Sequence, residues 1–250
     1  MSQVSIFDML REPVSINKPI RLIELFAGYG SQAMALERMG ADFEHYKAVD
    51  FDEPAIKSYN AVHGTNFPVI DIRDVTGESL EIRERERYCY LMTYSFPCTD
   101  ISIAGQQKGF EEGSGTRSAL LWEVKRILEE LKEENNVPDV LMMENVTAIH
   151  SEENRPHLKK WIEFLESIGY TSYMTDLNAS DFGIPQNRDR CFILSTYGEY
   201  NYKFPEPIEL KRCMEDLFED LTEEQAMKLV VKSQKALDLL VTLDEEGKLE

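Results

Sequence analysis

The sequence predicts an α/β protein built on an open, mostly parallel, doubly wound sheet. Three observations carry that expectation. Short apolar runs of strand length alternate with longer stretches whose apolar residues recur at three- and four-residue spacing. Their order over roughly residues 20–196 is strand, helix, strand, helix, the pattern of parallel pairing through helical crossovers. Glycine-containing or polar loops then follow the strands, at the carboxyl ends where open parallel sheets hold their ligands.

Residues 20–27, IRLIELFA, form an apolar run with one acid in it, which fits a buried parallel strand. The run breaks at Gly28-Tyr29-Gly30, and Ser31 opens a helix, SQAMALERM, that ends at Gly40. YKAVD (46–50) reads as a second strand ending in an acid. DEPAIKSYNAVHG (52–64) follows as a helix, with Pro54 in its first turn and Gly64 past its end. PVIDIRDV (68–75) is a third strand candidate and YCYLMTYSF (88–96) a fourth. A long helix is expected over 118–135, a strand at VLMMENV (140–146), a helix at HLKKWIEFLESIG (157–169) and a strand at RCFILST (190–196). From about residue 206 the chain turns acidic and helix-prone, without strand alternation.

Composition sets limits. A chain of 250 residues, 42% hydrophobic and 10% aromatic, can bury a full core. No apolar run reaches 18 residues, and the start, MSQVSIFDMLREPVS, lacks the charged-then-apolar order of a signal peptide. Cytoplasmic residence and no membrane partner are therefore expected. The four cysteines (Cys89, Cys98, Cys191, Cys213) form no CxxC pair and the four histidines no HExxH, so no metal and no disulfide framework are expected. The net charge of −19 argues, by itself, against a nucleic-acid partner, because phosphates need a basic surface.

Four stretches carry candidate chemistry. In LFAGYGS (25–31), Phe26, Ala27, Gly28, Gly30 and Ser31 form a strand-to-helix loop with a Gly-x-Gly. This is either a plain tight turn or a backbone approach to a nucleotide-like ligand. Asp50, 20 residues beyond Gly30, stands where ribose hydroxyls would be held, and Asp71-Ile72 could meet an adenine edge. With no full GxGxxG pyrophosphate fingerprint, S-adenosylmethionine is a better expectation than NAD. Cys98 follows Pro97 on a loop after a strand, beside Thr99, Asp100 and Ser102. It reads as a small buried thiol, a metal ligand or an exposed nucleophile. Glu144-Asn145 ends an apolar strand, as a surface carboxylate or a working one. Arg188 and Arg190 enter the last strand two residues apart and so share a face, exposed or site-lining.

Together the motifs FAGYG, VDFDE, DIRD, FPCTDIS with AGQQKG, TRSALLWE, ENV and QNRDR, in that order over residues 20–196, resemble the C5-cytosine DNA methyltransferases. The resemblance implies a methyltransferase-type α/β fold, double-stranded DNA as substrate and S-adenosylmethionine as methyl donor. It implies that Cys98 adds to C6 of a flipped cytosine, that Glu144 holds N3 and the exocyclic amine, and that Arg190 holds the base with Arg188 supporting the loop. Phe26, Ala27, Gly28, Gly30 and Ser31 would then form the cofactor loop. Asp50 would hold the ribose, Phe51, Asp71 and Ile72 would flank the adenine, and Pro97 and Leu120 would complete the pocket wall.

The match departs from the family in three places. Thr99 and Ile101 stand where Gln and Phe are usual, and Asp50 where Glu is more frequent. Nothing in residues 197–250 resembles the family's target-recognition region, its arginine-rich LTxxE segment or its final Gly-Asn-Ser motif. The expectation is an arm over 1–19, a catalytic domain over 20–205 and an acidic helical extension over 206–250. A second polypeptide would supply target recognition; a helix over 223–241, with Ala226, Leu229, Val230, Leu237 and Leu240, reads either as its docking helix or as a helix packed on its own domain. The alternative reading is a catalytically incomplete methyltransferase-like DNA-binding or interaction protein, truncated or degenerate.

Overall fold

The computed structural model describes residues 12–101, 109–230 and 232–247. Among these, eight strands occur: β1 (Glu12–Pro13), β2 (Ile20–Leu25), β3 (Phe43–Val49), β4 (Cys89–Tyr94), β5 (Val140–Val146), β6 (Tyr170–Asn178), β7 (Asp189–Tyr197) and β8 (Tyr200–Asn201). Six α-helices accompany them: α1 (Ser31–Met39), α2 (Glu53–His63), α3 (Leu121–Glu133), α4 (Arg155–Ser167), α5 (Glu223–Leu229) and α6 (Gln234–Glu245). The central sheet has the order β3-β2-β4-β5-β7-β6. β2, β3, β4 and β5 run parallel, whereas β7 is antiparallel to both β5 and β6. The expected mostly parallel α/β sheet is thus present. β1 and β8 form a separate two-stranded parallel ribbon.

Strand alternation explains how the sheet is covered. Ile23 and Leu25 of β2, Tyr90, Met92 and Tyr94 of β4, Leu141 and Met143 of β5 and Ile193 of β7 all face the larger core. The same core receives Val124, Ile127, Leu128 and Leu131 of α3 and Leu158, Trp161 and Leu165 of α4, residues at helical spacing on one stripe. The intervening residues Ile20, Leu22, Cys89, Leu91 and Val140 turn to the opposite face, where Ala33 of α1 packs on them. Tyr59 of α2 meets Ala27 and Ala48 on a third cluster. Each fully buried side chain of this kind contributes about 1.5–3 kcal/mol of transfer free energy. The two-faced burial is what makes the parallel strands read as continuous apolar runs.

Three expectations are corrected. Residues 68–75 are not a strand: Asp71 caps a short 3-10 turn over Ile72–Asp74, accepting from the Arg73 backbone N–H. Pro68 has no N–H for a ladder, and the carboxylate two residues before Arg73 offers the backbone a local turn instead. A strand missing from the sequence reading, β6, lies at the sheet edge, where its residues YTSYMTDLN are mostly half-covered and need no apolar run. The single helix expected over 223–241 is two helices, because Ser233 caps a new start by accepting from the Ala236 N–H. No helix among the described residues is long and apolar enough to cross a membrane.

Candidate active site

The carboxyl ends of β2, β4 and β5, with the start of antiparallel β7, converge on one edge of the sheet. At β2 the chain enters a left-handed conformation at Phe26 (φ 58°), Gly28 (φ 58°) and Gly30 (φ 84°) before α1 begins. A positive φ is uncommon for a bulky residue such as Phe26, so the loop is held rather than relaxed. The two glycines serve different needs. A Cβ on Gly30 would sit 2.3 Å from His63 Nε2 and 2.7 Å from Tyr59 Cε2, so its small size lets α1 and α2 approach. A Cβ on Gly28 would meet nothing within 4 Å, leaving open space beside the loop.

Asp50 fastens this loop. Its Oδ2 accepts from the Gly28 N–H at 2.9 Å and its Oδ1 from the Asp52 N–H at 2.9 Å. Each carboxylate oxygen keeps a second acceptor direction. Phe51, the next residue, is 53% exposed. Ala27 is buried, Ser31 is exposed and donates to Gln32, and Gln32 reaches Ser95 at the end of β4. Asp71 is engaged by Arg73, whose guanidinium holds its carboxyl below the usual carboxylate range. Ile72 points into the core with 3% exposure, so any ligand contact there is by its backbone.

Cys98 sits half-buried four residues beyond the end of β4. Its carbonyl accepts from Ile101 N–H, closing a turn, and Asp100 behind it is buried. Ser118 organises this turn: its hydroxyl donates to the Pro97 carbonyl at 2.6 Å, and its N–H donates to Asp100 Oδ2 at 3.2 Å. Leu120, in the same short turn, packs half-covered against the core. Cys89 and Cys191 are buried in the core. Burial pushes the Cys89 thiol up to about 11 and the Cys191 thiol up to about 12, so both behave as small apolar groups. Ser102 and residues 104–108 of the AGQQKG motif lie outside the described residues.

Arg190 and Glu144 face each other at 3.0 Å, Nε to Oε1, with 22% and 23% of their side chains exposed. Arg188 is exposed just before β7, and its backbone N–H donates to Asn178 Oδ1. Asn145, between Glu144 and Val146, is 2% exposed; its Nδ2 donates to the Phe96 carbonyl at 3.0 Å and its Oδ1 accepts from Val146 N–H. That bond ties the end of β5 to the segment leading into Cys98. Ser118 and Asn145 are the site residues whose part the sequence reading missed. A small polar residue beside a candidate loop was the available signal, but its partners are backbone carbonyls far along the chain.

The chain thus carries a doubly wound α/β sheet with a glycine loop, the half-buried Cys98 and a carboxylate–guanidinium pair at the carboxyl ends of its strands. The chain belongs to the C-5 cytosine-specific DNA methylase family, whose sequence model matches residues 20–246. It is 33% identical to the orphan methyltransferase M.SssI of Spiroplasma monobiae over 73% of this chain and 61% of that protein. With the type II methyltransferase M2.ScrFI of Lactococcus lactis subsp. cremoris it shares 34% identity over 82% of this chain and 69% of that one. The chain thus spans roughly two thirds of the length of these relatives. Among solved structures, the Entamoeba histolytica methyltransferase EhMeth superposes with TM-score 0.67 at 20% identity, over 83% of this chain and 62% of that one. A Spodoptera frugiperda DNMT2 mutant gives 0.63 at 22% identity, over 82% and 61%. At those identities the likeness is one of fold.

Proposed function

We propose that this chain supplies the catalytic part of a DNA (cytosine-5)-methyltransferase acting on a cytosine flipped out of double-stranded DNA. The observation that carries the proposal is the Asn145–Phe96 bond, which registers the Cys98 loop of β4 against the Glu144–Arg190 pair of β5 and β7. A nucleophile and an acid-base pair on neighbouring strand ends is what addition to a cytosine ring requires.

In this reading the Cys98 thiolate forms a bond to C6 of the cytosine, and electron density moves to C5. Glu144 hydrogen-bonds N3 and the exocyclic amine, which lowers the cost of charge in the ring. Arg190 orients Glu144 through its Nε and approaches the ring carbonyl, while Arg188 supports the loop. S-adenosylmethionine, when bound, supplies an electrophilic methyl group. Solvent water then takes the C5 proton, the C–H electron pair forms the C5–C6 double bond, and the C6–sulfur bond breaks to release Cys98 as a thiolate. The base cannot be reached inside a duplex, so flipping is part of the proposal.

Residues present at the sheet edge fit an adenosine-bearing donor. The open space at Gly28, the exposed Phe51 and the spare acceptor directions of Asp50 suit a ribose and an adenine. Phe26, Ala27, Gly30 and Ser31 shape the loop, and Ile72, Pro97 and Leu120 provide apolar or backbone wall. Asp71 is the weakest of the set, since Arg73 already occupies it.

The proposal includes the division into an arm over 1–19, a catalytic segment over 20–205 and an extension over 206–250, with a second polypeptide reading the target. Its support is the exposed apolar surface of the extension: Leu229 (70%), Val230 (53%), Leu237 (38%) and Leu240 (41%) face solvent, with Ala226 beside them. Such a patch suits a protein partner. The experiment is methyl transfer to unmethylated genomic DNA by the chain alone and with the product of the adjacent gene. The expected result is 5-methylcytosine from the pair only, and none from the pair carrying Cys98→Ser. Site-specific methylation by the chain alone contradicts the two-polypeptide part.

A further inference from the structure

Behind the loop that follows β2, Glu37 of α1, His45 of β3 and His63 at the end of α2 meet. Glu37 Oε1 lies 3.1 Å from His63 Nδ1 and 3.5 Å from His45 Nε2. One potential ligand atom from each residue lies within 4.8 Å of the other two. From sequence no metal is expected, since the cysteines form no CxxC pair and the histidines no HExxH.

The remote nitrogen of each ring is already committed. His63 Nε2 lies 3.0 Å from the Tyr29 carbonyl oxygen, and a carbonyl only accepts, so this nitrogen carries the proton. His45 Nδ1 lies 3.0 Å from the Tyr59 hydroxyl, which donates its own proton to the buried Glu24 carboxylate at 2.6 Å. Tyr59 therefore accepts from His45 Nδ1–H. A neutral imidazole has one N–H, so His45 Nε2 and His63 Nδ1 both present lone pairs toward Glu37, which is itself an acceptor. With both rings neutral, three acceptors converge with no donor between them, and a cation, whether a metal ion or a proton, resolves the arrangement.

We propose that Glu37, His45 and His63 form a zinc site, with water as the fourth ligand. Bonds of about 2.0–2.2 Å at a tetrahedral ion place ligand atoms about 3.3–3.6 Å apart, and the two separations from Glu37 Oε1 bracket the lower end of that span, with all three atoms within 4.8 Å of one another. Both imidazoles donate outward to an oxygen, as metal-bound histidines do. His63 is fully covered and Glu37 is 47% exposed, which gives a held ligand on one side and a solvent path on the other. Two imidazoles and one carboxylate form a known three-ligand set for zinc. Because His63 also holds the Tyr29 carbonyl, an ion here would fasten the loop between Gly28 and Gly30.

The test is titration of the chelator-treated full chain with zinc chloride, followed by calorimetry and thermal unfolding. One equivalent is expected to bind and to raise Tm. Glu37→Gln and His45→Gln are each expected to weaken binding at least about tenfold and to remove the Tm rise. Cobalt(II) in place of zinc should give tetrahedral d–d bands without a thiolate charge-transfer band, which excludes Cys98 and Cys213 as the ligands. If His45→Gln fails to fold, the half-exposed Glu37→Gln still reads the site. Absence of stoichiometric zinc binding, leaving a proton as the cation, overturns the proposal. Zinc uptake unchanged by Glu37→Gln, or a thiolate band, overturns it equally.

Discussion

Arg190 and Glu144 form one unit across two strands. The register pairs Val146 with Arg190 and Glu144 with Phe192, so the two side chains lie diagonally on one face of the sheet and meet at 3.0 Å. If Arg190 acts by orienting Glu144, the two residues cannot contribute independently. Glu144→Gln and Arg190→Ala should each lower kcat about 100-fold or more, and the double variant should fall little further. Methyl-transfer kinetics on the chain, with the proposed second polypeptide present, measure this. Loss of the half-covered pair should cost about 1 kcal/mol or less of folding stability, read by urea unfolding.

Asn145 should behave differently. Its buried amide satisfies the Phe96 carbonyl and the Val146 N–H at once. Asn145→Ala leaves both without a partner in a covered place, and about 1–3 kcal/mol of stability should be lost. Because Phe96 leads into the Cys98 loop, activity should fall by more than the folded fraction does. Comparing residual activity with residual folded protein separates the two effects.

The two loop glycines give a paired prediction. Gly30→Ala combines a left-handed backbone with a Cβ at 2.3 Å from His63, and should destabilise by about 3 kcal/mol or more. Gly28→Ala meets open space and should cost only the backbone preference, about 1–2 kcal/mol. Its new methyl group projects where the donor is proposed to sit. Calorimetric titration with S-adenosylmethionine should therefore show weaker binding for Gly28→Ala in a protein that remains folded.

Glu24 predicts a pH dependence of stability. Burial raises its pKa above the ordinary carboxylate value, opposed by the Tyr59 hydroxyl and the Ala33 N–H. The folded chain thus binds its proton more tightly than the unfolded chain does. This contribution is fully present below the unfolded pKa and is lost as pH rises through the folded one. Glu24→Gln keeps an oxygen acceptor for Tyr59 and removes the titration. The difference in unfolding free energy, Glu24→Gln minus the native chain, should grow in favour of the variant from acidic pH toward neutrality.

The parallel strands and the helices packed on them were legible because burial on two faces leaves continuous apolar runs, as at β2 and β5. β6 was not, since an edge strand needs only half its residues covered. PVIDIRDV misled for the opposite reason: its residues are strand-like, but the Asp71 carboxylate gives the Arg73 N–H a local partner. At the site, Cys98, Glu144 and Arg190 stood out because polar groups at the end of an apolar strand are conspicuous. Ser118 and Asn145 did not, because their bonds to Pro97 and Phe96 cross 21 and 49 positions of sequence. The convergence of Glu37, His45 and His63 likewise exists only after α1, β3 and α2 have packed together.

The central claim is that Cys98 is the nucleophile. Its most direct test is denaturing electrophoresis and mass spectrometry of the chain, with the proposed second polypeptide present, mixed with S-adenosylmethionine and a duplex carrying 5-fluorocytosine at the target. Fluorine at C5 cannot leave as a proton does, so the bond from Cys98 to C6 should persist and a covalent complex should map to the peptide containing Cys98. Cys98→Ser should abolish it. A Cys98→Ser enzyme with full turnover, or an adduct mapping to another residue, would contradict the account.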